Sequence, residues 1–212
     1  QRVWAQAEQH FQQALQLKIE FDDRYSQART YHHLGMVAQE QRQWAQAEQH
    51  FQLALQLFIE FDDRYTQANT YHHLGMVAQE QRQWAQAEQH FQQALRLKIE
   101  FGDRYNQAST YGQLGLLAQG QQQWAQAGQH LLQALTIFGD FQDEHSVGIA
   151  MRNLARLWRD VCAEGQADEA VASDLVAGVA SVVGLTVDEV VAVFERVVAV
   201  FERVVAGNEV AG

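Results

Sequence analysis

Apolar residues along the chain recur at helical spacing, and the whole pattern then repeats. Tyr31, Leu34, Val37 and Ala38 are followed by Trp44, Ala47, Phe51, Ala54, Leu55 and Leu57, which places one apolar stripe on each of two helices. The spacing predicts a helix A over about residues 24–41 and a helix B over about 44–60, with Arg42 and Gln43 in the turn between them. The pattern returns with a period of 40, marked by Trp4, Trp44, Trp84 and Trp124 and by Phe21, Phe61, Phe101 and Phe141. Residues 31–52 recur unchanged at 71–92, and blocks 21–60 and 61–100 differ at five columns only. The chain therefore reads as a lone helix B (1–20), three full units (21–60, 61–100, 101–140) and a fifth helix A (141–160). Repeats of this kind stack, each burying its apolar face on its neighbours. Because the array begins in mid-repeat, the chain is expected to be a fragment of a longer protein.

Within the unit, particular residues carry particular expectations. Asp23, Asp63, Asp103 and Asp143 precede each helix A, where a carboxylate accepts from the free N–H groups of the first turn. Acid pairs such as Asp62 and Asp63 are accordingly read as caps rather than as catalytic carboxylates. Gly35, Gly75 and Gly115 lie inside helix A, where each costs about 1 kcal/mol relative to Ala, so close approach of the neighbouring helix is expected there. Ala47 and Ala54 are expected to serve the same contact. The tryptophans are expected as core pieces wedged between helices A and B. The column Lys18, Phe58, Lys98 and Phe138 is expected at the surface, because a position that accepts Lys is usually exposed.

After Asp160 the composition turns from Gln-rich to Ala/Val-rich, so a second segment is expected over 161–212. A worn helix B is read there from Ala167 and Val171, which fall in phase, while Glu164 and Asp174 do not fit their columns. Thr186 and Glu189 form a capping box that opens a last helix at about 187–206. That helix repeats every seven residues and is apolar except for the stripe Asp188, Glu189, Glu195, Arg196, Glu202 and Arg203. It is expected either to cap the array or to pair with a second copy.

Composition narrows the function. The formal charge of −11 argues against nucleic-acid or anionic membrane partners, which require a clustered basic surplus. There is no proline, in keeping with a chain built almost wholly of helices and short turns. Cys162, the single cysteine, has no basic pattern near it and is read as an inert thiol. No apolar run reaches the roughly 18 residues of a membrane span, and a cytoplasmic setting is expected. Nine histidines invite a metal reading, but His32 and His33 point about 100° apart on a helix and no ligand motif accompanies them. No metal or cofactor is expected. Imidazoles lining a surface would make it pH-dependent near neutrality.

The series Tyr31, Leu34, Gly35, Ala38, Trp44, Ala47, Phe51 and Ala54 resembles the tetratricopeptide repeat signature over about residues 1–160. The 40-residue unit is similar to the longer variant of Partner-of-Inscuteable-type adaptors and bacterial signalling proteins. The resemblance implies an all-α fold, a right-handed superhelix (α-solenoid) of helix-turn-helix units, and a concave groove lined by helix A. Carried over by column, the groove residues are Arg29, His32, His33, Met36, Gln39 and Glu40, then Asn69, His72, His73, Met76, Gln79 and Glu80. In the third full unit they are Ser109, Gly112, Gln113, Leu116 and Gln119. The family's peptide-holding Asn positions are His33 or His73 and Met36 or Met76 here, so a partner ending in an acidic tail is not expected.

The resemblance implies a non-catalytic scaffold that binds a peptide or helix of a partner protein. One alternative is self-assembly through residues 187–206 or the exposed N-terminal helix. Another is a regulatory part of a larger signalling ATPase or protease. An enzyme within these residues is not expected, because polar groups recurring every 40 residues are spread out rather than gathered.

Overall fold

A computed structural model describes residues 2–163 and 169–209, with side chains over 4–163 and 169–200. Ten helices and no strand occur among the described residues. They are α1 (Arg2–Glu20), α2 (Arg24–Glu40), α3 (Trp44–Glu60), α4 (Arg64–Glu80) and α5 (Trp84–Glu100), then α6 (Arg104–Gly120), α7 (Trp124–Asp140), α8 (Glu144–Ala163), α9 (Glu169–Val183) and α10 (Val187–Glu209). The fold is the all-α repeat class expected, with successive helices packed in pairs. The chain divides into two compact units, residues 1–103 and 104–212.

From α1 to α8 each helix stops and the next begins in the same way. Asp22, Arg42, Asp62, Arg82, Gly102, Gln122 and Gln142 have φ between 52° and 64°, the left-handed conformation that ends a helix. At the first inter-helix turn of the repeat, Arg42 N–H donates to Gln39 O at 2.9 Å and Gln43 N–H to Ala38 O at 2.8 Å, closing the α2 carbonyls. The first acid of the Asp62–Asp63 pair is thus the turn residue, and Gly102 in its column adopts φ +64 without a Cβ penalty. The second acid caps the next helix: Asp23 accepts from Ser26 N–H at 3.0 Å, Asp63 from Thr66 at 3.0 Å and Asp143 from Ser146 at 3.1 Å. Gln27 and Gln67 reach back, donating to Lys18 O and Phe58 O at 3.1 and 3.0 Å.

The helical glycines answer to a side chain rather than to backbone. A Cβ at Gly35 would lie 2.7 Å from the Phe51 ring, and one at Gly75 only 2.6 Å from Phe91. In the same column Gly115 is held against Leu131, also at 2.6 Å. The A helix therefore rests on a fully buried large residue of its B helix. Ala47 and Ala54 are buried beside it, with Leu74 and Val77 of the following A helix closing the cluster that contains Ala38, Ala47 and Phe51.

Two expectations about burial are corrected. Phe58 is fully buried with Ala28, Ala54 and Leu57, and Lys98 and Phe138 in its column are buried as well. An amphipathic Lys occupies an interior column here because its long stem fills apolar space. Burial pushes the Lys98 ammonium down to about 8, while the nearby Asp103 carboxylate pulls it up. The charged form is thus disfavoured in the fold, and Lys98 stabilises the fold increasingly as pH rises from about 8 towards its unfolded value of 10.5. The tryptophans divide: Trp4 and Trp84 are exposed, while Trp44 and Trp124 are half-buried and pack against the core clusters from their edges.

In the unit of residues 104–212 a larger core joins α6, α7, α8, α9 and α10. Leu132 of α7 approaches Gly178 of α9 so closely that a Cβ there would meet it at 2.6 Å. Thr186 and Glu189 form the capping box: Thr186 N–H donates to Glu189 Oε2 at 2.8 Å and Glu189 N–H to Thr186 Oγ1 at 3.3 Å. From that start α10 buries Val190 and Phe194, the latter against Trp158 at 5.9 Å between ring centroids. Val171 is half-buried and Asp174 exposed, while Glu164 and Ala167 lie outside the described residues.

Candidate functional site

The helix A columns divide into two sets. Arg29, His33, Met36 and Glu40 on α2 are exposed and share one face, being spaced by three and four residues. On α4, Glu80 is exposed and Asn69 and Met76 half-buried; on α6, Ser109, Gly112, Gln113, Leu116 and Gln119 are half-buried. His33 keeps its position by stacking on Phe11 of α1, centroids 5.2 Å apart.

The other set faces inward, and part of it knits α2 to α4. His32 Nδ1 lies 3.1 Å from Thr70 Oγ1, and its ring meets Phe51 and His73 edge-on at 5.4 and 5.3 Å. His73 stacks flat on Phe51 at 5.1 Å and donates through Nδ1 to Gln39 Oε1 at 3.0 Å. The Gln39 amide in turn donates to Met76 Sδ at 3.7 Å. His72 lies edge-on to Phe91 at 5.6 Å, and Gln79 is half-buried. The spacing of these residues matches the open face within one residue, which is why the sequence places both sets in the groove.

Burial dominates the electrostatics of the inner set. Desolvation, with the neighbouring His73 and His33, lowers His32 to about 3. Desolvation, with Lys98 and His73, lowers His72 to about 3, and desolvation with Lys98 lowers His73 to about 4. These rings are neutral at neutral pH, so they do not give the groove a charge switch there. His33 is lowered as well, by burial and by the adjacent Arg29 and Lys18. No group of three His, Cys, Asp or Glu residues that could hold a metal ion occurs among the described residues. Cys162 is exposed, and burial of its surroundings raises its thiol, leaving little thiolate.

A cavity of about 320 Å³ opens on the α2 face, lined by Tyr25, Arg29, His32, His33, Phe58 and Thr66. Tyr25 is fixed at its edge by donating to Asp63 Oδ2 at 2.7 Å, and that bond raises the Tyr25 hydroxyl. Burial raises Asp63, but bonds from Thr66 and Tyr25 outweigh this and hold its carboxyl below the usual range. Tyr25, Phe58 and Thr66 were not among the groove residues read from the sequence. The signal available was internal variation: Arg29, Phe58 and Thr66 all occupy columns that differ between the two near-identical blocks. Ile149 and Asn153 on α8 were likewise missed, although they stand 40 residues beyond Ser109 and Gln113. They line a second cavity together with Ser109, Gly112, Gln113 and Leu116.

Comparison with known proteins agrees with this geometry. Residues 1–60 and 26–100 match the family model of the tetratricopeptide repeat. A search of curated proteins finds no match. Among solved structures, BtubC (BKLC) from P. vanneervenii is 18% identical at a TM-score of 0.66, covering 94% of this chain and 75% of that one. The apo form of RapI is 16% identical at 0.69, covering 85% of this chain, which spans only 49% of RapI. The nearly identical TPR-like repeats of a Podosopora anserina protein assigned to the kinesin light chains are 15% identical at 0.63, covering 84% and 88%. At these identities the likeness is one of fold.

The buried histidines make the array acid-sensitive. Each is protonated in the unfolded chain below 6.5 but not in the fold until about 3–4, so stability is complete above 6.5 and falls as pH drops below it. Thermal unfolding should show a melting temperature lower by roughly 5 °C or more at pH 5 than at pH 7. A smaller difference is expected in His72→Gln, and a melting temperature unchanged or higher at pH 5 contradicts the assignment.

Proposed function

Since the repeat array of this chain belongs to the tetratricopeptide repeat family, whose repeats generally mediate protein–protein interaction, we propose that the open face of its A helices binds a segment of a partner protein and performs no chemistry itself. The observation that carries this reading is where the near-identical blocks differ. Of the five variable columns, three supply Arg29, Phe58 and Thr66 to a single cavity on that face. Arg29 and Thr66 vary on the open face itself, while Phe58 varies beneath it as a buried part of the cavity lining.

The chemistry of the face suits a polypeptide. Arg29, His33, Asn69 and Glu40 offer donors and acceptors to an extended backbone, and Met36 and Met76 offer adaptable apolar contacts. With a formal charge of −11, nucleic acid is disfavoured as the occupant. No single helix among the described residues is long and apolar enough to cross a membrane, and a cytoplasmic setting belongs to this proposal.

Self-association is a second reading, favoured by one observation. Leu17 of α1 is 55% exposed, whereas Leu57 and Leu97 in its column are 9% and 3% exposed, and Ile19 and Phe21 extend the same open patch. α10 remains the other candidate for a contact between copies, because Val187 and Val200 are exposed while Val190 and Phe194 are buried within the chain.

Two experiments decide between these readings. A photo-crosslinking residue placed at Arg29 or Asn69 should trap the partner, and one at Gln52 or Gln92 on the exposed side of the B helices should not; crosslinks confined to the B helices contradict the groove. Light scattering over a dilution series should show dimers that dissociate on dilution if α1 pairs with a second copy, and Leu17→Glu should abolish them. A monomer at every concentration removes self-association.

A further inference from the structure

Gly112 is a helical glycine that packing does not require. Gly35, Gly75 and Gly115 are held by Phe51, Phe91 and Leu131, each within 2.7 Å of where a Cβ would stand. Around Gly112 nothing lies within 4 Å, so a side chain would fit freely. A glycine in a helix interior nevertheless costs about 1 kcal/mol relative to Ala. In the preceding blocks this column holds His32 and His72, whose rings cover Phe51 and Phe91. Here the ring is missing above, and the smaller Leu131 replaces the phenylalanine below.

The result is a cavity of about 230 Å³ bounded by α6, α7 and α8. Leu131, Ala134 and Phe138 form its floor, and Leu116 and Ile149 stand on opposite walls. None of the lining residues carries a formal charge. Gln113 and Asn153 flank it from α6 and α8, and neither side chain makes a hydrogen bond among the described residues. The volume is below the roughly 300–1,000 Å³ of small-molecule sites, which points to a single side chain as the occupant.

We propose that this cavity is an anchor pocket for one uncharged apolar side chain, of leucine to phenylalanine size, on a partner segment. The inference rests on the reading of the A-helix face as a polypeptide groove and specifies what it selects. A charged side chain would lose its hydration here with no opposite charge in the lining, whereas an apolar one removes its surface from water and meets a matching floor.

The test uses the full chain and four capped pentapeptides that differ only in the central residue: leucine, phenylalanine, serine or glutamate. Methyl NMR signals of Leu116, Leu131 and Ile149 should shift saturably with leucine and phenylalanine, and at least about tenfold more weakly with serine and glutamate. Gly112→Leu fills the pocket from above and should lose the response while melting no lower than the parent chain. Leu131→Phe fills the pocket from below with the residue found at positions 51 and 91, and should lose the response too. Equal response to all four peptides, or full response in either filled variant, overturns the proposal. Partner crosslinks at Arg29 and Asn69 with a silent pocket overturn this inference alone, whereas their absence counts against the groove itself.

Discussion

The contact between an A-helix glycine and a large B-helix side chain sets the geometry of each helix pair. At Gly35, Gly75 and Gly115 the partner side chain occupies the space any Cβ would need. The two helices can therefore approach closely in only one register, and the short left-handed turn between them fits that register. Because the contact recurs every 40 residues, residues in one column occupy equivalent places in successive pairs. A helix without its partner would leave this apolar face uncovered, which is the general condition of stacked repeats.

That contact also determines what the A helix can offer a partner. One edge of the helix beside the glycine rests on the large B-helix side chain, so His32, His73 and Gln39 are drawn into bonds between α2 and α4, and His72 lies edge-on to Phe91. The other edge stays open and carries Arg29, His33, Met36 and Glu40. Where the histidine column becomes glycine at Gly112, the structural role lapses and space opens instead.

Much of the architecture was legible beforehand because local chemistry and period agreed. The helix limits, the Asp caps and the Thr186–Glu189 box are all short-range devices that depend on neighbours in sequence. The misreadings involve side chains whose fate depends on a second helix. Lys98 looked like a surface residue because its charge was weighed and its stem was not, yet the stem occupies the same interior place as Phe58. The tryptophans looked like core because of their size, yet Trp4 and Trp84 are exposed and Trp44 and Trp124 only half-buried at its edge. His32 and His33 are adjacent, and a helical pattern alone does not say which of the two meets Thr70 and which faces water. Phe58 and Thr66 entered the candidate site only once α2, α3 and α4 were brought together.

The central claim is best tested by a double-mutant cycle at Gly75 and Phe91, measured by urea unfolding. If the ring occupies the space of the missing Cβ, Gly75→Ala should destabilise the parent chain by about 1–3 kcal/mol. In a Phe91→Ala background, where the ring is gone, the same change should be neutral or stabilising by up to about 1 kcal/mol, as expected for Ala over Gly in a helix. An equal effect of Gly75→Ala in both backgrounds would mean that the glycine and the ring act independently, and the account of how the helix pairs are held would fail.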